Sequence, residues 1–541
     1  MPTFTNPVLA GSYPDPSVCR VGEDFYLVTS SFAYYPGIPV FHSRDLVHWR
    51  QLTHVLNRPQ QLSLRGFDTS DGIWAPTIRH HNGTFYVVST IAKQRGGSVT
   101  FVATANDPAG PWSDPVPLEA EGIDPSLFFD DDGRCWFTGC RDTVPSVAGA
   151  PGQLWMRQLD LASLTLVGPT HVLWHGAMRG AWVEAPHIYK RDGVYYLIAA
   201  EGGTENNHSV TAARADAVTG PYVTDPRNPL LTHRHRGANE PIQNVGHADL
   251  VDTIDGETWA LTLGVRPING SHTLGREVFL VPVEWTANGP VFAPESGCVR
   301  LSERLPSIAD PQSSKECAEV TRRVHFGEAA LGLEWNSLRG PADAFLRPAP
   351  GGTGLDFSLS PEPLTSKQTP AFIGRRQQHI RFSSRVSISF AAADPSEEAG
   401  LAVVQSQDRH ATLALSVDAS GTAQVVLKAW ETEDRCIRVT RVPVAGSDML
   451  LAVEGDETGY TFRFKAHGAS EWTHVASIER SFFSTESAGG FVGVYVGLYG
   501  TSNGQASDNL ARIHWFEYGQ TPELLQPTPP NAAAEPLQVT G

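Results

Sequence analysis

Three acidic residues stand in settings that hydrolytic chemistry can use: Asp15 in SYPDPS, Asp124 in GIDPSLFF and Glu184 in WVEAPHIY. Hydrolysis of a glycosidic acetal needs two carboxyl groups, one protonated to assist the leaving oxygen and one ionised. Asp15, held between two prolines, is the expected general base that activates water. Glu184 has the longer side chain and the better reach to a leaving oxygen, which makes it the expected general acid. An acid working near neutral pH must have a raised pKa. Asp124 is placed to supply a like charge that raises it, and to orient Glu184. Trp182, Phe128 and Phe129 are the aromatic neighbours expected to desolvate the site. Taken singly, each Asp-Pro is no more than a turn start, since Asp caps turns and Pro is tolerated where strands begin. Together the three acids require an architecture that gathers them.

That architecture is written as a repeat. Five segments share an apolar pair, a turn with Gly or Asp, and an aromatic-rich strand: DPSVCRVGEDFYLVTS, APTIRHHNGTFYVVST, DPSLFFDDDGRCWFTG, APHIYKRDGVYYLIAA and ADLVDTIDGETWALTL. The turns at Gly22-Glu23-Asp24, His81-Asn82-Gly83, Asp131-Asp132-Gly133, Arg191-Asp192-Gly193 and Ile254-Asp255-Gly256 favour tight reversals, so each segment reads as a hairpin. Their spacing, roughly 50 to 60 residues, is the length of a four-stranded propeller blade. The fold class is all-β: a five-bladed β-propeller over residues 1–305, followed by a β-sandwich. In a propeller the starts of the innermost strands surround the central axis. Asp15, Trp74, Asp124, Glu184 and His247 open the five repeats and are expected to converge there.

Beyond the propeller, residues 306–322 read as a linker rich in Ser, Pro and charge. Short alternating strands over 323–520 read as the sandwich. Residues 521–541, rich in Pro and Ala, read as a mobile tail. Lys and Arg number 41 against 58 Asp and Glu, a net charge of −17. This acidity disfavours nucleic acid and anionic membranes as partners. No apolar run approaches the ~18 residues of a membrane span. The first residues show no export signal, and six scattered cysteines read as reduced thiols, so a cytoplasmic location is expected. His233 and His235, the pair His80-His81, and the run Asp130-Asp131-Asp132 are expected to be solvated loop or turn residues, with no metal among them.

Segments across the propeller carry a specific resemblance: NPVLAGSYPDPSVCRVGEDFYLVTSSF, HSRDLVHWR, GIWAPTIRHHNGTFYVVST, GIDPSLFFDDDG, WVEAPHIYKRDGVYYLIAAEGGT, NVGHADLV and TLGREVFLVPVEW. They resemble the family 43 glycoside hydrolases, in the β-xylosidase branch with a C-terminal concanavalin-like sandwich. LEWNSLRGP and GGFVGVYVGLYG extend the likeness into the second domain. The resemblance implies the same roles for Asp15, Asp124 and Glu184. It implies that Arg276 of LGRE binds sugar hydroxyls and that Phe32 and Trp74 form aromatic walls. It also implies that His247 is the hub histidine, that Thr204 lines the pocket, and that Phe491 closes it from the sandwich.

The implied activity is exo-acting, inverting β-1,4-xylosidase action on xylo-oligosaccharides, with α-L-arabinofuranosidase side activity. No cofactor is required, although the family leaves room for calcium at the hub near His247, and the branch often forms homo-oligomers. The rival readings are arabinofuranosidase as the main activity, a retaining fructan-type propeller enzyme, and a noncatalytic sugar-binding propeller.

Overall fold

A computed structural model describes residues 2–94, 96–142, 152–178, 182–310, 322–327 and 331–521. Most of the expected linker (311–321) and tail (522–541) lies outside the described residues, as does Cys317. The propeller has the expected blades. Each is an antiparallel sheet whose first strand belongs to one repeat: Ser17–Val21, Gly72–His81, Ile123–Phe129, Glu184–Arg191 and Gln243–Asp252. First strands of neighbouring blades pack together, the first against the second and fifth, the third against the second and fourth, so they form the hub.

The hairpins follow their turn chemistry. Asn82-Gly83 and Asp192-Gly193 both have positive φ at each position, as a two-residue turn matched to strand twist requires. The ring is closed by the N-terminal segment. Thr3–Thr5 pairs with Ser302–Arg304, and the Asn6 amide donates to the carbonyls of Leu280 and Arg300 at 3.0 Å while accepting from the Leu280 N–H at 2.9 Å.

One backbone device recurs where the hub meets the pocket. In the second to fifth blades the pairing of first and second strands slips at the same place: between Trp74 and Thr77, Ile123 and Ser126, Glu184 and His187, and Gly246 and Asp249. A bulge re-aims the side chains it carries. Asp124, Ala185 and His247 sit in these bulges with φ of 51°, 51° and 53°, and Asp15 takes φ 58° at the corresponding point of the first blade. The five expected positions are therefore two classes. Asp124 and His247 occupy the bulge itself and Asp15 the matching place just before its strand, whereas Trp74 and Glu184 stand one residue earlier. Asp and His tolerate the left-handed conformation better than most residues.

Among the described residues the second domain is a sandwich of an eight-stranded and a seven-stranded sheet over an apolar core that includes Phe357, Phe382, Leu401, Leu413, Phe462 and Val496. One sheet is extended by Tyr34–Tyr35 of the propeller, which pairs with Asn336–Leu338. Tyr34 stacks on Tyr495 of the sandwich at 3.7 Å and 12°, both buried. Arg376 of the sandwich donates to the Ser12 carbonyl at 2.7 Å and lies 4.4 Å over the Tyr13 ring. Phe32, Tyr34, Phe372, Val492, Tyr495 and Tyr499 share one apolar cluster across the junction. Such a junction couples the domains energetically. Tyr495→Ala should cost about 3–5 kcal/mol in urea unfolding, the usual cost of emptying a buried aromatic site, and should destabilise both domains. A propeller that unfolds at an unchanged midpoint in this variant would contradict the coupling.

Candidate active site

All nine residues singled out from the sequence line one cavity of about 310 Å³ at the hub: Asp15, Phe32, Trp74, Asp124, Glu184, Thr204, His247, Arg276 and Phe491. They come from all five blades and the sandwich, which explains their separation along the chain. The aromatic end is built around a cation. The Arg276 guanidinium carbon lies 5.7 Å from the ring centres of both Phe32 and Phe491, while Trp74 meets Phe491 edge-on at 5.7 Å.

Phe491 reaches the propeller because its loop is fastened there. Its N–H donates to Ser70 Oγ at 2.9 Å, the Gly493 N–H to Ser12 Oγ at 3.0 Å, and the Val494 N–H to the Thr273 carbonyl at 2.9 Å. Gly275, beside Arg276, must be glycine: its φ is 78°, and a Cβ there would stand 2.8 Å from the Gly493 nitrogen.

Arg276 donates from Nη1 to Asp15 Oδ1 at 2.7 Å and to Thr204 Oγ1 at 3.1 Å. Ser30 Oγ donates to the other Asp15 oxygen at 2.6 Å, and His247 Nδ1 lies 3.8 Å from Asp15 Oδ1. Burial alone would raise Asp15, but the Arg276 charge, His247 and the Ser30 hydrogen bond outweigh it and hold the carboxyl below its ordinary value. Glu184 moves the other way. Burial first, then the negative charge of Asp15, pushes it up to about 7. Asp124 is pushed well above the carboxylate range by burial, then by Glu184 and Asp15. Asp124 and Glu184 thus hold a proton between them in neutral solution. Asp124 and Glu184 face each other as like charges, and Asp15 adds a further negative charge that raises both.

Several sequence expectations are corrected. Phe128 and Phe129 do not line the cavity: Phe128 meets Tyr195 edge-on at 6.0 Å and Phe129 stacks on His81 at 4.3 Å. Trp182 does line it but is 56% exposed, at the rim, so it desolvates little. His81 is accordingly not a free solvent residue, and His80 packs on Phe85 at 4.7 Å. His233 is buried, with Nδ1–H to the Ile242 carbonyl at 2.7 Å and Nε2 accepting from the Val299 N–H at 3.0 Å; only His235 is exposed. Asp130 is buried too, accepting from Lys190 and Tyr195 at 2.8 Å each, while Asp131 and Asp132 are exposed. Ser30 and His208 belong to the site and were not singled out. Ser30 stands two residues before Phe32, a spacing that puts both on one face of an extended chain, which was the available signal.

A propeller hub with one ionised and one protonated carboxyl facing a small cavity defines a glycosidase-type site. The comparisons with known proteins place it. Residues 4–291 match glycosyl hydrolases family 43, and residues 323–519 match the β-xylosidase C-terminal concanavalin A-like domain. The chain belongs to family 43 of the glycosyl hydrolases. A xylosidase/arabinosidase of Butyrivibrio fibrisolvens is 39% identical over 522 residues, 94% of this chain and 98% of the relative. A non-reducing end α-L-arabinofuranosidase of Bacteroides ovatus is 38% identical over 527 residues, 95% of this chain and 94% of the relative. Among solved structures, the xylan β-1,4-xylosidase of Bacillus halodurans C-125 superposes with a TM-score of 0.89 at 32% identity, covering 96% of this chain and all (100%) of that one.

The charges define a pH window. Activity that needs the raised carboxyl protonated should fall as pH rises through about 7, and the acid limb, where Asp15 gains its proton, should lie below 3.8. Arg276→Leu removes the charge that depresses Asp15, so the acid limb of kcat/KM should move to higher pH. An acid limb that stays in place would show that the guanidinium does not set the ionisation of Asp15.

Proposed function

We propose that the protein is an exo-acting, inverting β-1,4-xylosidase that releases xylose from the non-reducing ends of xylo-oligosaccharides, with α-L-arabinofuranosidase side activity. The observation that carries this reading is the cavity of about 310 Å³, in which Asp15, held ionised, and Glu184, held protonated, line the same space. A cavity walled by Phe32, Trp74 and Phe491 has room for one terminal sugar, and a pentose lacks the hydroxymethyl arm that would crowd those rings. In this reading Asp15 takes a proton from water, and the water oxygen bonds to the anomeric carbon. The glycosidic C–O bond breaks as Glu184 gives its proton to the leaving oxygen, and the configuration inverts. Asp124 positions Glu184 and shares its proton. Arg276 orients Asp15 and offers its remaining N–H groups to sugar hydroxyls.

Calcium at the hub fits the residues poorly. Asp15 holds Arg276 at 2.7 Å, and Asp249, the next carboxylate toward His247, holds Arg79 through both oxygens at 2.8 and 3.1 Å. A divalent ion there would have to displace a guanidinium, so the proposed mechanism uses none. The Bacteroides ovatus relative favours a second reading, in which arabinofuranoside is the better substrate. Kinetics on 4-nitrophenyl β-D-xylopyranoside and α-L-arabinofuranoside, with proton NMR of the first-formed anomer, test both. The expected result is a higher kcat/KM on the xyloside with α-xylose appearing first. A higher value on the arabinoside would reverse the order, and retained β-xylose would remove the inverting mechanism.

A further inference from the structure

His208 lines the cavity yet has no part in the chemistry described above. It is 3% exposed, and its place is fixed from three sides. Its own N–H donates to the Glu205 carbonyl at 2.9 Å, closing the turn that follows Thr204, and its carbonyl accepts from Thr232 Oγ1 at 2.8 Å. The ring lies flat on Gly246. A Cβ at that glycine would stand 2.6 Å from the ring's Cγ, Cδ2 and Cε1, so the absence of a side chain there is what gives the imidazole its space. Nδ1 lies 2.9 Å from the carbonyl oxygen of Asn244.

A carbonyl can only accept, so Nδ1 must carry the hydrogen and Nε2 must present a bare lone pair. Burial, reinforced by the nearby charges of His247 and Arg276, lowers the pKa of His208 to about 3 despite the opposing Asn244 hydrogen bond. The ring therefore stays neutral through the whole working range and Nε2 stays an acceptor. Nε2 is not among the buried polar atoms left without a partner, so it opens to the cavity it lines. Among the buried carboxyl groups of the cavity, Asp15 already holds Arg276 and Asp124 and Glu184 share a proton, while Glu205 lines the cavity from an exposed position. A third carboxylate in place of His208 would compete for that guanidinium and weaken its hold on Asp15, whereas a neutral imidazole accepts a hydrogen bond without disturbing it.

We infer that His208 is a specificity-determining residue whose Nε2 accepts a hydrogen bond from one hydroxyl of the terminal sugar in the cavity. The inference rests on the exo-glycosidase reading above and adds a requirement for a hydroxyl at one ring position. It sorts pentosides by that hydroxyl, independently of the aromatic walls, which sort them by size.

The test pairs enzyme variants with substrates that lack single hydroxyls. Values of kcat/KM are measured for wild type, His208→Phe and His208→Gln on 4-nitrophenyl β-D-xylopyranoside and its three monodeoxy analogues. His208→Phe keeps a flat ring over Gly246 but has no acceptor. It should lose about tenfold on the parent substrate, the scale of one neutral hydrogen bond left unmade in a closed site. That loss should vanish on one deoxy analogue and persist on the other two. His208→Gln, whose amide oxygen can reach the Nε2 position, should recover most of the loss. An equal loss on all four substrates, or none on the parent, would overturn the inference, as would a Gln variant no better than Phe. If His208→Phe does not fold, the Gln variant's rate on the parent against the same analogue still decides. Failure of the functional reading appears elsewhere, as a wild type that turns over no xyloside. If arabinoside is the true substrate, the same comparison is run on its deoxy series.

Discussion

The hub buries three carboxyl groups around a single guanidinium, and the distribution of protons follows from that imbalance. Arg276 donates to Asp15 and to Thr204, so of the three acids Asp15 holds it by a direct hydrogen bond. Asp15 is thereby held ionised, and its negative charge acts on the other two acids, where it and burial outweigh the opposing pull of Arg276. Glu184 rises to about 7 and Asp124 rises further, with burial as the leading cause for both. One ion pair therefore sets a base and an acid at the same time. Two carboxyls in a shared low-dielectric cavity do not need distinct sequences to differ in pKa; they need unequal access to a positive charge.

The fold exists, in this account, to hold that inequality in place. Arg276 and Asp15 are separated by 261 positions along the chain, yet they lie side by side because the first and last blades meet. The N-terminal segment keeps them together through its strand pairing and the Asn6 amide. Bulges in the innermost strands turn Asp124 and His247 away from the regular pleat and toward the axis. The sandwich supplies the last wall. Its Phe491 stands beside Phe32, the two ring centres 6.3 Å apart and each 5.7 Å from the guanidinium carbon. Below the cavity, Arg79 neutralises Asp249 in a second buried pair, also joined by Ser17 at 2.6 Å, so the axis carries its own balanced charge.

Much of this was legible in the sequence because a propeller writes its hub as a repeat. The five hairpins announce themselves by turn residues and aromatic strands, and the acids stand at their openings. What was not legible lies at two other scales. The bulge shifts pairing in the second to fifth repeats, so His247 and Glu184, each one residue before its segment in the sequence pattern, occupy neighbouring and not identical positions. Phe128 and Phe129 were misplaced for a related reason: four or five residues along a strand is roughly 13 Å or more, well beyond the cavity. The second scale is contact between distant segments. His208 owes its tautomer to a carbonyl 36 residues away, His233 accepts from a backbone N–H 66 residues away, and Asp130 is buried by Lys190 and Tyr195 of the next blade. No local pattern encodes such partners, and turn-like composition then misreads buried polar residues as solvated ones.

Neutron diffraction from perdeuterated crystals of the unliganded enzyme near pH 6 tests the central claim most directly, because it locates each exchangeable hydrogen. The account predicts deuterium on the Asp124–Glu184 pair and none on Asp15, which should show only the deuterons donated by Arg276 and Ser30. Deuterium bound to an Asp15 carboxyl oxygen, or a bare Asp124–Glu184 pair, would contradict it.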